Sequence, residues 1–277
     1  MGLRIATNVA SQTAVKNLRF SGAEQSNEFA KLSSGKRINQ SADDAAGLAI
    51  AKKLEAETRG MRQANRNAND GISMVQVAEG ALNESGNILT RLRELTVQAA
   101  SDTIGEKERG FLDLEYQQLV QEADRIAQSS TYAGIPVVKG ETGAGTMEFH
   151  VGAYAGENNK VTYEADYVDA TASTLEIDGT GISTRDDAND SMEYIDNAIE
   201  MVAGYRASLG SIQSRLQSSV RNLEIAAVNQ DAARSRIEDV DYAESASKVA
   251  SINVMKDAGI STLAQANNIP NSALRLL

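Results

Sequence analysis

Apolar residues recur along this chain at helical spacing in two long arms, and clear stripes of this kind lie at its very ends. Val9–Leu32 carries Val15, Leu18, Gly22, Gln25, Phe29 and Leu32 in alternating steps of three and four, with imperfect seam positions at Gly22 and Gln25. Ala243–Leu277 carries Val249, Ile252, Met255, Leu263 and Ala266 before Asn267-Asn-Ile-Pro270. A domain that closes its core on itself usually leaves its termini polar and frayed. Here the two terminal stripes can pair with each other, but two helices bury only one seam each, so the remaining apolar faces call for neighbouring copies.

Between the ends the chain goes out and back. The loop Ser33–Ser41 breaks the first helix, and Ser41 with Asp44 has capping-box spacing. That box predicts a helix through Leu48 and Leu54 into the stripe Met61, Ala64, Ala68, Ile72 and Val75. Continued to about residue 100, it would span ~75 Å at 1.5 Å per residue. Thr103 and Glu106 repeat the box spacing ahead of Leu112, Tyr116, Leu119, Ala123 and Ile126. Thr131–Val138 reads as a turn leading to extended chain. Met147–Val151 and Lys160–Val168 alternate apolar and polar residues around Gly156-Glu-Asn-Asn159, a hairpin pattern. Asp178-Gly-Thr-Gly181 is a further turn. From about Asp187 helix returns with Ile195, Ile199 and Val202. Its stripe slips by one residue at Tyr205, then continues through Leu209, Ile212, Leu216, Ser219, Leu223 and Ala226 to Val240.

The expected fold is mainly α: a long antiparallel helical hairpin or coiled-coil rod, its N- and C-terminal helices paired at one end, with a small β-hairpin region mid-chain. The expected segments are an inner-core helix over 1–40, rod helices over 41–139, an acidic β-hairpin insert over 140–187, a returning rod helix over 188–241 and a second inner-core helix over 242–277.

Composition narrows the function. There is no Cys, no Trp, one His, four Phe and two Pro. An Ala-rich, aromatic-poor apolar set suits close helix–helix approach. The absence of cysteine removes disulfides and thiolate chemistry. His150 alone can build neither a His-pair metal site nor a Ser–His triad, and beside Phe149 it reads as a hairpin residue. Asp43-Asp44 and Asp186-Asp187 read as helix caps rather than paired carboxylates, because adjacent side chains diverge on a helix. Gly143-Ala-Gly145 and Gly179-Thr-Gly181 lack a nucleotide-binding context and read as turns. No cofactor, metal or catalytic site is expected. Formal net charge is −11, and Glu141–Asp187 holds ten acids against Lys160 and Arg185, a net of −8. That segment is expected to face water and to repel nucleic acid. Tyr154, Tyr163 and Tyr167 are expected to pack the hairpin. No leader pattern opens the sequence and no run approaches the ~20 apolar residues of a membrane span, so export without a cleaved leader is expected.

Several long motifs, in order, carry a resemblance. Leu32-Ser-Ser-Gly-Lys-Arg-Ile-Asn39, Ala42-Asp-Asp-Ala-Ala-Gly-Leu-Ala-Ile50, Asn65-Arg-Asn-Ala-Asn-Asp-Gly-Ile-Ser73 and Ala78-Glu-Gly-Ala-Leu-Asn83 resemble the N-terminal signature of bacterial flagellins. Arg236-Ile-Glu-Asp-Val-Asp-Tyr-Ala243 and Leu263-Ala-Gln-Ala-Asn-Asn-Ile-Pro270 resemble the C-terminal one. The resemblance covers roughly residues 1–138 and 187–277 and implies a short flagellin without large outer domains.

The resemblance implies a structural, non-enzymatic subunit of the flagellar filament, exported through the flagellar type III apparatus and polymerised beneath a cap into the extracellular propeller for swimming. A sheathed or periplasmic filament is also compatible with it. The polymer core would use Val15, Leu18, Phe29, Leu32, Val249, Ile252, Met255 and Leu263. Implied partners are further copies of the chain, an export chaperone, the filament cap and hook–filament junction proteins. Leu89–Gln98 resembles the segment contacted by the vertebrate Toll-like receptor that detects flagellin. Arg91, Leu95 and Glu115 therefore stand as innate-receptor contacts and subunit-interface residues. Leu274, Leu276 and Leu277 stand as tail contacts for the polymer, the chaperone or a cytosolic sensor. Exposed Ser and Thr between Thr171 and Thr184 are candidate O-glycosylation sites. The alternative is a hook–filament junction component; a metallopeptidase insert needs more than one His.

Overall fold

The computed structural model describes residues 7–140 and 146–274, with side chains described to residue 268. Five long helices dominate: α1 (Val9–Ser34), α2 (Ala45–Ala99), α3 (Glu106–Ser129), α4 (Arg185–Glu238) and α5 (Tyr242–Leu274). Four short strands, β1 (Thr131–Tyr132), β2 (Ile135–Pro136), β3 (Thr146–His150) and β4 (Lys160–Glu164), lie between α3 and α4. The chain divides into two units, Met1–Ala56 with Asn229–Leu277, and Glu57–Val228. No helix among the described residues is long and apolar enough to cross a membrane.

In the first unit α1 and α5 pack along each other. Asn8 caps α1 by accepting from the Ser11 amide at 3.0 Å, and Gly35 closes it at φ 70°, a left-handed conformation open to glycine at no steric cost. The chain leaving α1 is tied to the end of α4: the Arg37 amide donates to Glu238 O at 2.7 Å and the Val240 amide to Gly35 O at 3.0 Å. Ser41 does not open the next helix. The Asp43 carboxylate accepts from the amides of Gln40 and Asn39, both at 3.0 Å, and these bonds hold it below the usual carboxylate range. The cap therefore moves to Asp44, whose Oδ1 accepts from the Gly47 amide at 2.8 Å.

In the second unit α2 and α4 pair antiparallel. Asn65 donates to Glu224 at 3.3 Å, and the Arg93 guanidinium binds Asp196. Their buried stripes interdigitate: Ala68, Val75, Ala78, Leu82, Leu89 and Leu92 on α2, and Ile195, Val202, Tyr205, Leu209, Ile212 and Leu216 on α4. The slip expected at Tyr205 is absent. Ala198, not Ile199, is the fully buried residue at that turn, so the steps of three and four run through unbroken. A small residue on the seam is invisible to a search for large apolar side chains. On α3 the buried positions are Arg109, Tyr116, Val120, Ala123 and Ala127, while Leu112, Leu119 and Ile126 are half-buried beside them. The second expected capping box also fails. Gly105 precedes α3 without a side-chain cap bond, and the Thr103 hydroxyl bonds Ser101 instead.

The mid-chain hairpin forms with the expected alternation. β3 pairs β4 in the register Met147↔Tyr163 and Phe149↔Val161. β1 and β2 make a second, two-residue hairpin with Ala133 and Gly134 both at positive φ. β4 stops at Glu164, short of Val168, where a turn of 3-10 helix takes over. The acidic segment is more than a solvent-facing insert. Val161, Tyr163, Ala165, Val168, Leu175, Ile177 and Ile182 all sit in the core of the second unit, while Glu148, Glu157, Glu164, Asp166, Glu176 and Asp178 are exposed. The Tyr group splits: Tyr163 is buried, whereas Tyr154 and Tyr167 are exposed, Tyr167 making an edge contact with Tyr205 at 5.5 Å.

Two outcomes test this packing. Ile177→Ala should destabilise the second unit by about 2–5 kcal/mol in urea unfolding, as for other fully buried aliphatic truncations; a loss near zero would return the segment to the surface. Tyr163 donates its hydroxyl to Val137 O at 3.0 Å, and burial pushes the phenol up to about 12. An unfolded Tyr ionises near ~10, so the folded chain holds the proton across a window in which the unfolded chain has lost it. That stabilisation is whole below the unfolded value and is lost as pH rises through the folded one. Tyr163→Phe should flatten this alkaline decline in denaturation curves, at a cost of ~0.5–1.5 kcal/mol at neutral pH from the missing hydrogen bond.

Candidate assembly surfaces

The α1–α5 pair has a tight crossing. A Cβ at Gly259 would fall 2.8 Å from Leu18 Cδ2, so the helices meet closely because that position carries no side chain. Polar pairs fix the register along the seam. Asn8 Nδ2 donates to Ala266 O at 2.8 Å, the Ser11 hydroxyl to Asn267 at 2.8 Å, and Gln25 bonds both Asn253 and Lys256.

The expected polymer-core residues divide over two faces. Val249 and Ile252 are buried in the seam, and Val15, Leu18, Leu32 and Leu263 are half-buried along it. Phe29 and Met255 are each 50 % exposed, so neither is a seam residue within the subunit. The buried side chain on that turn of α1 is Glu28, 5 % exposed and paired with Lys31 at 2.9 Å. A charged residue at a seam position is what hides the true phase of α1 from a hydrophobic pattern. Leu276 and Leu277, and the side chain of Leu274, lie outside the described residues.

Sequence reasoning expected uncovered apolar faces on the pair but did not name Phe20, Val9, Val254 or Ile260 among them. Phe20 is 63 % exposed and Val254 69 %, with Val9 and Ile260 also open to water. Singly, such residues need no explanation. Together with Phe29 and Met255 they give a two-helix layer an apolar exterior that its own subunit does not cover.

On the second unit, the structure brings Arg91 and Glu115 together. Arg91 NH2 lies 2.8 Å from Glu115 and NH1 2.9 Å from Glu94, and these bonds raise the guanidinium pKa further. Both side chains are open to solvent, so the pair contributes little to stability. Leu95 does not join them. It is 1 % exposed, inside the core with Leu92, and cannot touch a partner of the folded subunit. The exposed apolar neighbours are instead Val97 on α2 and Phe111 and Leu114 on α3. Among the described residues no three His, Asp or Glu side chains group to hold a metal. Of the Ser and Thr residues considered for modification, Thr171 is buried, while Ser173 and Thr174 are exposed.

Comparisons with known proteins agree with this geometry. The model of the bacterial flagellin N-terminal helical region matches residues 5–142, and that of the C-terminal helical region matches residues 192–277. The chain is 38 % identical to the flagellar filament core protein flaB2 of Brachyspira hyodysenteriae, over 99 % of both chains. It is 37 % identical to a flagellin of Halalkalibacterium halodurans, over 98 % of both, and 34 % identical to Bacillus subtilis flagellin, over 99 % and 100 %. Among solved structures, a Bacillus cereus flagellin matches with a TM-score of 0.50 and 27 % identity, covering 57 % of this chain and 88 % of that one. A Vibrio parahaemolyticus structure described as a flagellar hook-associated protein has a TM-score of 0.60 at 14 % identity, covering 71 % and 100 %, which shows a shared fold alone. Terminal helices that pair with each other, a β-bearing middle and full-length similarity to filament proteins converge, and the chain belongs to the bacterial flagellin family.

Proposed function

We propose that this chain polymerises through its α1–α5 unit, with Val15, Leu18, Leu32, Val249, Ile252 and Leu263 closing the seam inside each subunit. Phe20, Phe29, Val254, Met255 and Ile260 then close the contacts between subunits. The observation that carries this is the uncovered apolar exterior of a two-helix layer. Burying such side chains is worth roughly 1.5–3 kcal/mol each, and in a filament many copies supply the cover. The subunit then works by stiffness: close axial packing of helices lets the polymer transmit torque as a propeller in swimming motility.

The flagellar setting supports further partners by family resemblance: an export chaperone, the filament cap and hook–filament junction proteins. It supports an extracellular filament as the working location. The tail residues Leu274, Leu276 and Leu277 are assigned to polymer packing ahead of chaperone or sensor binding. Arg91 and Glu115, exposed and mutually bonded, support a surface contact at that site, either with a neighbouring subunit or with an innate-immune receptor; Leu95 supports it only from below, as core.

Seeded elongation followed by electron microscopy tests the reading. Wild-type monomer should extend filament seeds. Removal of residues 1–20 or 258–277 should abolish extension while the 41–241 region stays helical by circular dichroism. Phe20→Ser with Val254→Ser should shift monomer stability by no more than about 0.5 kcal/mol, as expected of exposed positions, yet raise the critical concentration at least several-fold. Normal extension by either truncated chain would remove the terminal helices from the polymer core.

A further inference from the structure

The second unit carries opposite charge on two exposed faces far apart along its paired helices. On α2, Arg59, Arg62 and Arg66 fall on one side at 3.6 residues per turn. All three are exposed; Arg59 and Arg62 also interact within the subunit, and Arg66 donates to Gln63, contacts that exposed side chains can exchange for others. The other sides of the same turns are occupied. Met61 and Ala64 pack with Leu223 of α4, and Gly60 and Gly71 lie against Ala153 and Phe149 of the hairpin region. The arginine face therefore points away from the subunit's own core. On α4, Asp186, Asp190 and Glu193 share an exposed face opposite buried Ala188, Ser191 and Ile195. Asp190 and Glu193 take part in no ion pair among the described residues. From Glu176 to Glu200 there are eight acids against Arg185 alone.

The two faces sit at different levels of the α2–α4 pair. The arginines are beside Asn65, which meets Glu224, whereas the carboxylates are beside Asp196, which meets Arg93. The rise of the helix between those levels is about 42 Å. They cannot neutralise each other within one subunit. In a helical polymer every copy is related to the next by the same operation, so each contact joins two different surfaces. A basic face at one level and an acidic face at the other meet that requirement, while acid on acid would repel.

The geometry points to a charge-matched contact between successive copies, in which the Arg59–Arg62–Arg66 face of one subunit lies on the Asp186–Asp190–Glu193 face of the next. This rests on the filament reading above. The spacing and direction also agree. Copies along a polar filament share one orientation, and α2 runs opposite to α4 within each copy, so α2 of one copy meets α4 of the next antiparallel. Read in that sense, Arg59, Arg62 and Arg66 oppose Glu193, Asp190 and Asp186 with steps of three and then four on both sides. Three guanidinium–carboxylate pairs can form together. The occupant is thus a second copy of this chain.

Charge reversal tests it with the full-length protein. The variants are Arg59→Glu with Arg62→Glu, Asp190→Lys with Glu193→Lys, and all four substitutions combined. Each double variant should still unfold cooperatively close to the wild-type melting curve, since exposed pairs contribute little to stability, and should raise the critical concentration for seeded elongation about tenfold at ~50 mM salt. The difference should shrink at ~1 M salt, where the screening length falls to about 3 Å. The combined variant, and an equimolar mixture of the two double variants, should elongate close to wild type, because both restore opposite charges at every contact. Wild-type elongation by either double variant alone would overturn the contact and leave the filament reading standing, as would failure of both the combined variant and the mixture. Failure of the wild type to extend seeds would overturn both.

Discussion

Two helices packed side by side can each bury a single stripe, and that limit shapes this subunit. In the α1–α5 unit the shared seam takes Val249, Ile252 and the inward sides of Val15, Leu18, Leu32 and Leu263. Among the described residues no third layer of the unit covers the opposite faces, so Phe20, Phe29, Val254, Met255 and Ile260 are exposed. Polar bonds at Asn8, Ser11 and Gln25, together with the close approach at Gly259, settle the register of the pair. These are the faces that the proposed contacts between copies would cover.

The second unit solves the same problem internally. There α2 and α4 share one long seam, α3 lies on it, and the mid-chain segment closes the rest with Tyr163, Val168, Leu175, Ile177 and Ile182. Polar anchoring accompanies the closure: Gln117 and Tyr116 of α3 hold Thr180, and the Asp113 carboxylate accepts from the Ile182 amide at 2.8 Å. With its core complete, this unit turns its charges outward, and in the proposed contact between copies opposite charges on separate faces would favour one relative placement.

Much of the fold was legible because helical and strand periodicities are local. The approximate extents of α1 and α5, the existence of the mid-chain hairpin and the return helix near residue 187 all follow from spacing alone. The errors have local causes too. Ser41 and Thr103 have capping-box spacing, yet Asp43 folds the preceding turn back by accepting from the Asn39 and Gln40 amides, and Ser101 takes the Thr103 amide and hydroxyl; the caps fall at Asp44 and Gly105. A hydrophobic pattern favours Ile199 over Ala198 because it weights size, whereas a tight seam selects small residues. Leu95 matched a surface motif by position, but its phase on α2 turns it inward.

The sequence by itself determined that the ends are amphipathic helices, that the middle is acidic and β-bearing, and that chemistry dependent on paired histidines or any cysteine is absent. Family membership was readable there as well, since long ordered motifs need no coordinates. Only the tertiary structure decided which face of each helix is spent within the subunit. Periodicity locates a stripe but does not say what covers it, and burial is a property of contacts between residues far apart in the chain. For that reason Glu28 lies in the seam while Phe29 beside it faces out, and residues of an acidic segment that reads as a surface insert are buried in the core of the second unit.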